Sequence, residues 1–203
     1  MEPRLVEMNN YWTIEEILRH NLDDDSPEQK ACFKILSDNR KLFQTIQGST
    51  NNHQAWAGGY WDHVQEVMNI AIVLYRSLSA VRALTFYLSD ALLPLFLHDI
   101  EKPWKYELRE DGQLYHLPEF ETKAQAHVFR QKKLDEYGIV LTPEQQNAML
   151  YVEGEFGDYS NRERKMGPVA AFCHLCDVTS ARIWFDHPME TDDPWDGAKR
   201  IRD

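Results

Sequence analysis

The chain has 203 residues, of which 43% are hydrophobic and 27% charged, with a formal net charge of −11. That length carries one domain with a full core and falls short of two ordinary ones, and the balance excludes a disordered or collagen-like chain. The negative charge argues against holding duplex nucleic acid by phosphate neutralisation, which needs a basic face, but leaves room for a local basic pocket around a small phosphorylated ligand.

The opening "MEPRLVEMNNYW" has no basic segment followed by an apolar core, so no secretory signal is visible. The most apolar stretch, Leu84 to Ile100, carries Asp90, Pro94, His98 and Asp99, the wrong content for a bilayer-spanning helix. The expectation is a cytoplasmic protein without a membrane partner. Cys32, Cys173 and Cys176 are odd in number and do not suggest a disulfide framework. "CHLC" resembles half a zinc ribbon, but the second CxxC is missing and the segment has helical periodicity, so buried structural thiols are expected.

In chain order, Thr13 to Arg19 begins a helix, and "DDDSPEQ" starts another, with Ser26 or Asp25 as cap and Pro27 in the first turn. Gln47 to Gly59 is a polar, glycine-bearing loop. Apolar residues from Val64 to Tyr75 follow the helical period, predicting a helix over Trp61 to about Ser79. The next helix, about Ala80 to Ile100, is apolar on nearly every face, is expected to be central, and should stop at Pro103. "KYELREDGQLYHLPEF" suits a short hairpin around Asp111-Gly112. Helices follow over Glu121 to Tyr137, ended by Gly138, from Thr142-Pro143 to Gly154, and from Pro168 to about Phe185. The fold class read from this pattern is all-α: a single compact multi-helix domain over residues 1–203, its core about 56–185 and a surface tail at 186–203.

Four residues carry the chemistry: His63 in the first turn of one helix, the doublet His98-Asp99 closing the central one, and Asp177 within the last. A lone histidine in an amphipathic helix has an ordinary structural explanation. The doublet is harder to explain that way, because an aspartate buried unpaired at the end of an apolar helix costs several kcal/mol. A divalent metal ion would satisfy both, and imidazole nitrogens with carboxylate oxygens suit zinc, iron, manganese or magnesium.

In this order, together with "GGYWDHVQEV" and "HDIEK", the chain from roughly Trp56 to Trp184 resembles the HD-domain metal-dependent phosphohydrolases. The resemblance implies a metal site between central helices, with His63, His98, Asp99 and Asp177 as ligands of one divalent ion: zinc, manganese, iron, magnesium, cobalt or nickel. It implies that Asp99 also positions the attacking water. Lys102 either holds a phosphate oxygen or is a solvated lysine at a helix end. His127 stands where many relatives carry a histidine that ligates a second metal, touches the phosphate or moves a proton. "LYVEGEF" replaces the His-His pair of two-metal relatives, which points to one metal unless Glu153 substitutes as a ligand.

A proton for the departing oxygen has His127 or His116 as candidate source. Glu66 reads as an exposed helix glutamate, the alternative being that it orients an imidazole. His53, Trp56 and Tyr60 can line a pocket mouth, although packing is the plainer account of the aromatic residues. Arg162, Arg164 and Lys165 form a basic cluster, either solvated or a phosphate clamp for substrate. Arg182 falls on a different helical face from Asp177.

The function expected is hydrolysis of a small phosphorylated substrate, a nucleotide mono- or triphosphate or similar metabolite. Phosphodiester cleavage of a cyclic nucleotide or single-stranded RNA, and a non-catalytic nucleotide-binding regulatory module, are the alternatives. Homo-oligomerisation is left open by the sequence.

Overall fold

The structure, a computed structural model, describes residues 10–108 and 114–201. Helix α1, Ile14–Asn21, starts at a capping box in which the Thr13 hydroxyl accepts from the Glu16 N–H and Glu16 reaches back to the Thr13 N–H. Helix α2, Pro27–Thr45, is capped by Ser26, with Pro27 in the first turn. Helix α3, Gly59–Val81, is the longest, at 23 residues. Its two leading glycines have different jobs. Gly58 has φ +82°, the left-handed region, and a Cβ on Gly59 would lie 1.8 Å from the Gln54 carbonyl oxygen.

The central apolar stretch divides differently from the expectation. Helix α3 runs on to Val81, and a new helix, α4, spans Leu88–Leu97. Tyr87 opens α4, its N–H donating to Asp90 Oδ2 at 2.8 Å, a start signal that near-continuous hydrophobicity concealed. Pro103 does not end the helix either. It sits in the first turn of the four-residue α5, Lys102–Lys105, where a missing N–H costs nothing.

Strands β1, Tyr106–Leu108, and β2, Leu114–His116, pair antiparallel with Tyr106 opposite His116. The expected hairpin is present; its Asp111-Gly112 turn lies outside the described residues. Helix α6, Lys123–Tyr137, begins at a Thr122–Gln125 capping box and ends at Gly138 with φ +68°. Helix α7, Pro143–Tyr151, begins at a Thr142–Gln145 capping box and stops short of Gly154. Helix α8, Pro168–Val178, ends earlier than its hydrophobicity suggests, because the chain changes to a π turn over Thr179–Ile183. The Thr179 hydroxyl donates to the Leu175 carbonyl at that point.

Helix α3 packs against α2, α4 and α8, and α7 covers α4 and α8. Val67, Met68 and Ala71 of α3, Leu92 and Leu95 of α4, and Phe172, Cys173 and Cys176 of α8 belong to one buried core. A fully buried side chain of the larger kinds contributes roughly 1.5–3 kcal/mol. All three cysteines are free, buried thiols, as expected. Every residue of α3 from Gly59 to Ile72 is buried, including Asp62, His63, Gln65, Glu66 and Asn69, so each of these polar groups must find a partner inside. No helix among the described residues is long and apolar enough to cross a membrane.

The C-terminal tail is largely exposed but fastened. The Ile201 N–H donates to Asp62 Oδ1 at 3.0 Å, and Arg200 stacks 3.8 Å above the Trp56 ring. Ala198 is buried.

Candidate metal centre

The second turn of α3, the turn that follows α4, and the end of α8 bring His63, His98, Asp99 and Asp177 together. His63 Nε2 stands 3.3 Å from His98 Nε2, and Asp177 Oδ1 is 3.2 Å from His63 Nε2 and 3.7 Å from His98 Nε2. His63, His98 and Asp177 each offer one donor atom, all within 4.8 Å of one another, the one such group among the described residues. Asp99 completes the constellation, with Oδ2 at 3.3 Å from His98 Nε2 and 3.6 Å from His63 Nε2. Lys102 Nζ binds the same Oδ2 at 2.5 Å.

Both imidazoles have their tautomers set from behind. His98 Nδ1 lies 2.7 Å from the Leu95 carbonyl oxygen, which can only accept, so the proton is on Nδ1. His63 Nδ1 lies 3.0 Å from Ser180 Oγ. The Ser180 hydroxyl donates onward to Glu66 Oε2 at 2.5 Å and therefore accepts from His63 Nδ1–H. In the neutral form of each ring, the form that binds a metal, Nε2 is then the lone pair. Two lone pairs turned toward each other beside two carboxylates repel unless a cation lies among them, and histidine with a back-side hydrogen bond on Nδ1 is the usual state of a metal ligand. The donor set thus fits a divalent ion.

The electrostatics agree. Burial pulls the two histidines toward neutrality, and His63 stays below its ordinary pKa. At His98 the Asp99 and Asp177 carboxylates outweigh burial and push it up to about 10. Burial would raise both aspartates, yet Lys102 and His98 hold Asp99, and His63 and His98 hold Asp177, well below the usual carboxylate range. Without a metal the cluster gathers positive charge as a proton on one imidazole. Asp177 and Lys102, with side chains 15% and 16% exposed, mark the solvent side.

Lys102 is therefore engaged with Asp99 and is not a solvated helix-end lysine. Glu66, expected to be exposed, is only 2% exposed, because α3 runs through the core and turns this face onto the π turn. Burial raises its pKa to about 8. His53 stacks obliquely on His63, ring centroids 4.7 Å apart, and burial with the charges of His63 and Lys102 lowers its pKa to about 4. Trp56 and Tyr60 take the packing role: Trp56 Nε1 donates to Asp62 Oδ2 at 2.7 Å, and Tyr60 packs edge-on against Phe43.

His127 is not in the cluster. It lines a cavity of about 130 Å³ with Lys123, Arg130 and Glu153. Arg130 joins this cavity to Glu101, two residues beyond the doublet, gripping Glu101 at 2.6 and 2.9 Å and Glu153 at 3.1 Å. Glu153 is thus committed to Arg130 and, through Oε2 at 2.9 Å, to Lys123. His116 is half-buried on β2 with its ring edge-on to Tyr106. Arg162, Arg164, Lys165 and Arg182 are exposed, and Lys165 pairs with Glu163 at 2.8 Å.

Ser180 and Gln54 escaped the sequence reading. Ser180 lies three residues beyond Asp177, a spacing that places both on one helical side. Gln54 lies in a loop and has no periodic signal. No family model, curated protein or solved structure matches this chain.

Proposed function

We propose that this chain is a metal-dependent phosphohydrolase of the HD-domain type, acting on a nucleotide mono- or triphosphate or a similar small phosphorylated metabolite. One observation carries the reading: two fully buried imidazoles, fixed from behind on Nδ1, turn their Nε2 atoms toward each other, 3.3 Å apart, beside two carboxylates. His63, His98, Asp177 and Asp99 would hold the ion. A divalent ion there supplies Lewis acidity toward a phosphoryl oxygen and a nucleophilic water near neutral pH.

The protein's own groups do the rest. Asp99, pinned by Lys102, accepts a hydrogen bond from the attacking water and fixes its line of approach. Lys102 adds a fixed positive charge where the equatorial oxygens become more negative. The cavity bounded by His127, Lys123 and Arg130 would take the remainder of the substrate, and His127 would pass a proton to the departing oxygen.

The test is metal analysis of the purified protein followed by product analysis with ribo- and deoxyribonucleoside mono- and triphosphates, cyclic nucleotides and a short single-stranded RNA. Stoichiometric metal and hydrolysis of a mono- or triphosphate, both lost in His63→Ala, are expected. Turnover of the cyclic or polymeric substrates alone replaces the reading with a phosphodiesterase. Ligand binding without turnover replaces it with a regulatory module.

A further inference from the structure

Gln54 is the most heavily engaged side chain near the cluster. It is fully buried and holds a left-handed backbone, φ +39°, which a non-glycine residue adopts at a cost of roughly 1–2 kcal/mol. The Gln54 N–H donates to the Phe185 carbonyl at 2.7 Å, and its own carbonyl accepts from the Gly48 N–H at 3.0 Å. That carbonyl is the one against which Gly59 has no room for a Cβ. This arrangement delivers the side-chain amide into a ring of oxygens.

Around Gln54 Nε2 stand Glu66 Oε2, Ser180 Oγ and the Trp184 carbonyl, each at 3.2 Å, and the His187 carbonyl at 2.9 Å. Only an NH2 group can sit among acceptors of this kind, so the amide cannot be flipped. Its other end, Oε1, faces His53 Nδ1 at 2.7 Å and can only accept. The proton of His53 is therefore on Nδ1, and its Nε2 is a lone pair. The Ser49 hydroxyl fixes the same loop, accepting from the His53 N–H and donating to the His53 carbonyl, both at 2.8 Å.

We propose that His53 is a third functional imidazole of this centre: its Nε2 accepts a hydrogen bond from an O–H group held at the His63–His98–Asp177 cluster, and Gln54 positions it. This rests on the phosphohydrolase reading and deepens it. The ring lies against His63, ring centroids 4.7 Å apart, which sets it beside the cluster. Lys102 is a pure donor and suits an ionised phosphoryl oxygen. The His53 lone pair repels such an oxygen and instead takes a water or a sugar hydroxyl. Through Glu66 and Ser180 the same Gln54 amide also supports the tautomer of His63, so one side chain sets the proton positions of two imidazoles.

The experiment uses the zinc-loaded protein with ¹⁵N-labelled histidine and a long-range ¹H–¹⁵N correlation that distinguishes the two tautomers. His53 is expected in the Nδ1–H form, its signals assigned by their absence from His53→Asn. That variant keeps an N–H for Gln54 Oε1 and removes only the acceptor at the Nε2 position. It is expected to fold, to bind zinc with unchanged affinity, and to lose at least about tenfold in kcat with a smaller change in KM. An equal loss with ribo- and deoxyribonucleotide identifies the O–H as water, whereas a loss confined to the ribonucleotide identifies the 2′-hydroxyl. An Nε2–H tautomer, full turnover in His53→Asn, or loss of its zinc overturns the proposal. A wild-type chain that takes up no metal and turns over nothing overturns the phosphohydrolase reading instead, and the metal-free tautomer measurement still tests the Gln54–His53 link.

Discussion

At the scale of single residues, the candidate centre needs both its imidazoles and the hydrogen bonds that orient them. His63→Ala and His98→Ala each remove one converging lone pair, and equilibrium dialysis should show metal affinity lowered by at least a hundredfold with the helices retained by circular dichroism. Cys173→Ser and Cys176→Ser should leave metal content unchanged, because both thiols are buried in the core and burial raises their pKa, the wrong direction for a thiolate ligand. Glu66 makes the sharpest statement about pH. Its carboxyl binds a proton more tightly folded, at about 8, than at its ordinary 4.5. The stability this gives is full below pH 4.5 and is lost as pH rises toward 8. In metal-free protein, Glu66→Gln keeps an acceptor for Ser180 and Gln54 while removing that loss. The difference in melting temperature between the variant and wild type should therefore widen in the variant's favour from pH 4.5 to 8.

At the scale of elements, the glycine pair before α3 decides whether that helix can start where it does. Gly59→Ala would drive a methyl group into the Gln54 carbonyl, at 1.8 Å in the present geometry. Backbone on one side and a four-acceptor network on the other leave little room to relax. Denaturant unfolding should show a loss of about 3 kcal/mol or more, with metal affinity falling in parallel because Gln54 is displaced. An ordinary cap offers a contrast. Thr142→Ala removes the acceptor for the Gln145 N–H at the start of α7 and should cost about 1 kcal/mol with metal affinity unchanged.

At the scale of the whole molecule, the residues that could hold a metal come from three distant parts of the chain and meet only when α3, α4 and α8 are packed. Divalent metal should accordingly raise the melting temperature, by an amount equivalent to about 2.7 kcal/mol at a hundredfold excess over Kd. The tail contributes to the same unity. Its backbone reaches Asp62, and the His187 carbonyl helps orient the Gln54 amide. Deleting residues 186–203 should lower both the melting temperature and the metal-induced increment.

The helix starts at Thr13, Ser26 and Thr142, the all-helical character and the His63, His98-Asp99, Asp177 series were legible in the sequence, because caps, periodicity and an expensive buried charge are local signals. The break at 82–87 was hidden, since a chain apolar on every face has no phase from which to read a boundary. Glu66 was misread for a related reason: a helix buried on all sides exposes no polar stripe, so a glutamate in it cannot be told from a surface one without its neighbours. What the sequence by itself determined is which groups must leave water together and which helices carry them. What only the tertiary structure decided is where their protons sit. That depends on Ser180, brought inward by a π turn, and on Gln54, held in a loop by Gly48 and Phe185, and hydrogen bonds between residues so far apart in sequence are fixed by packing alone.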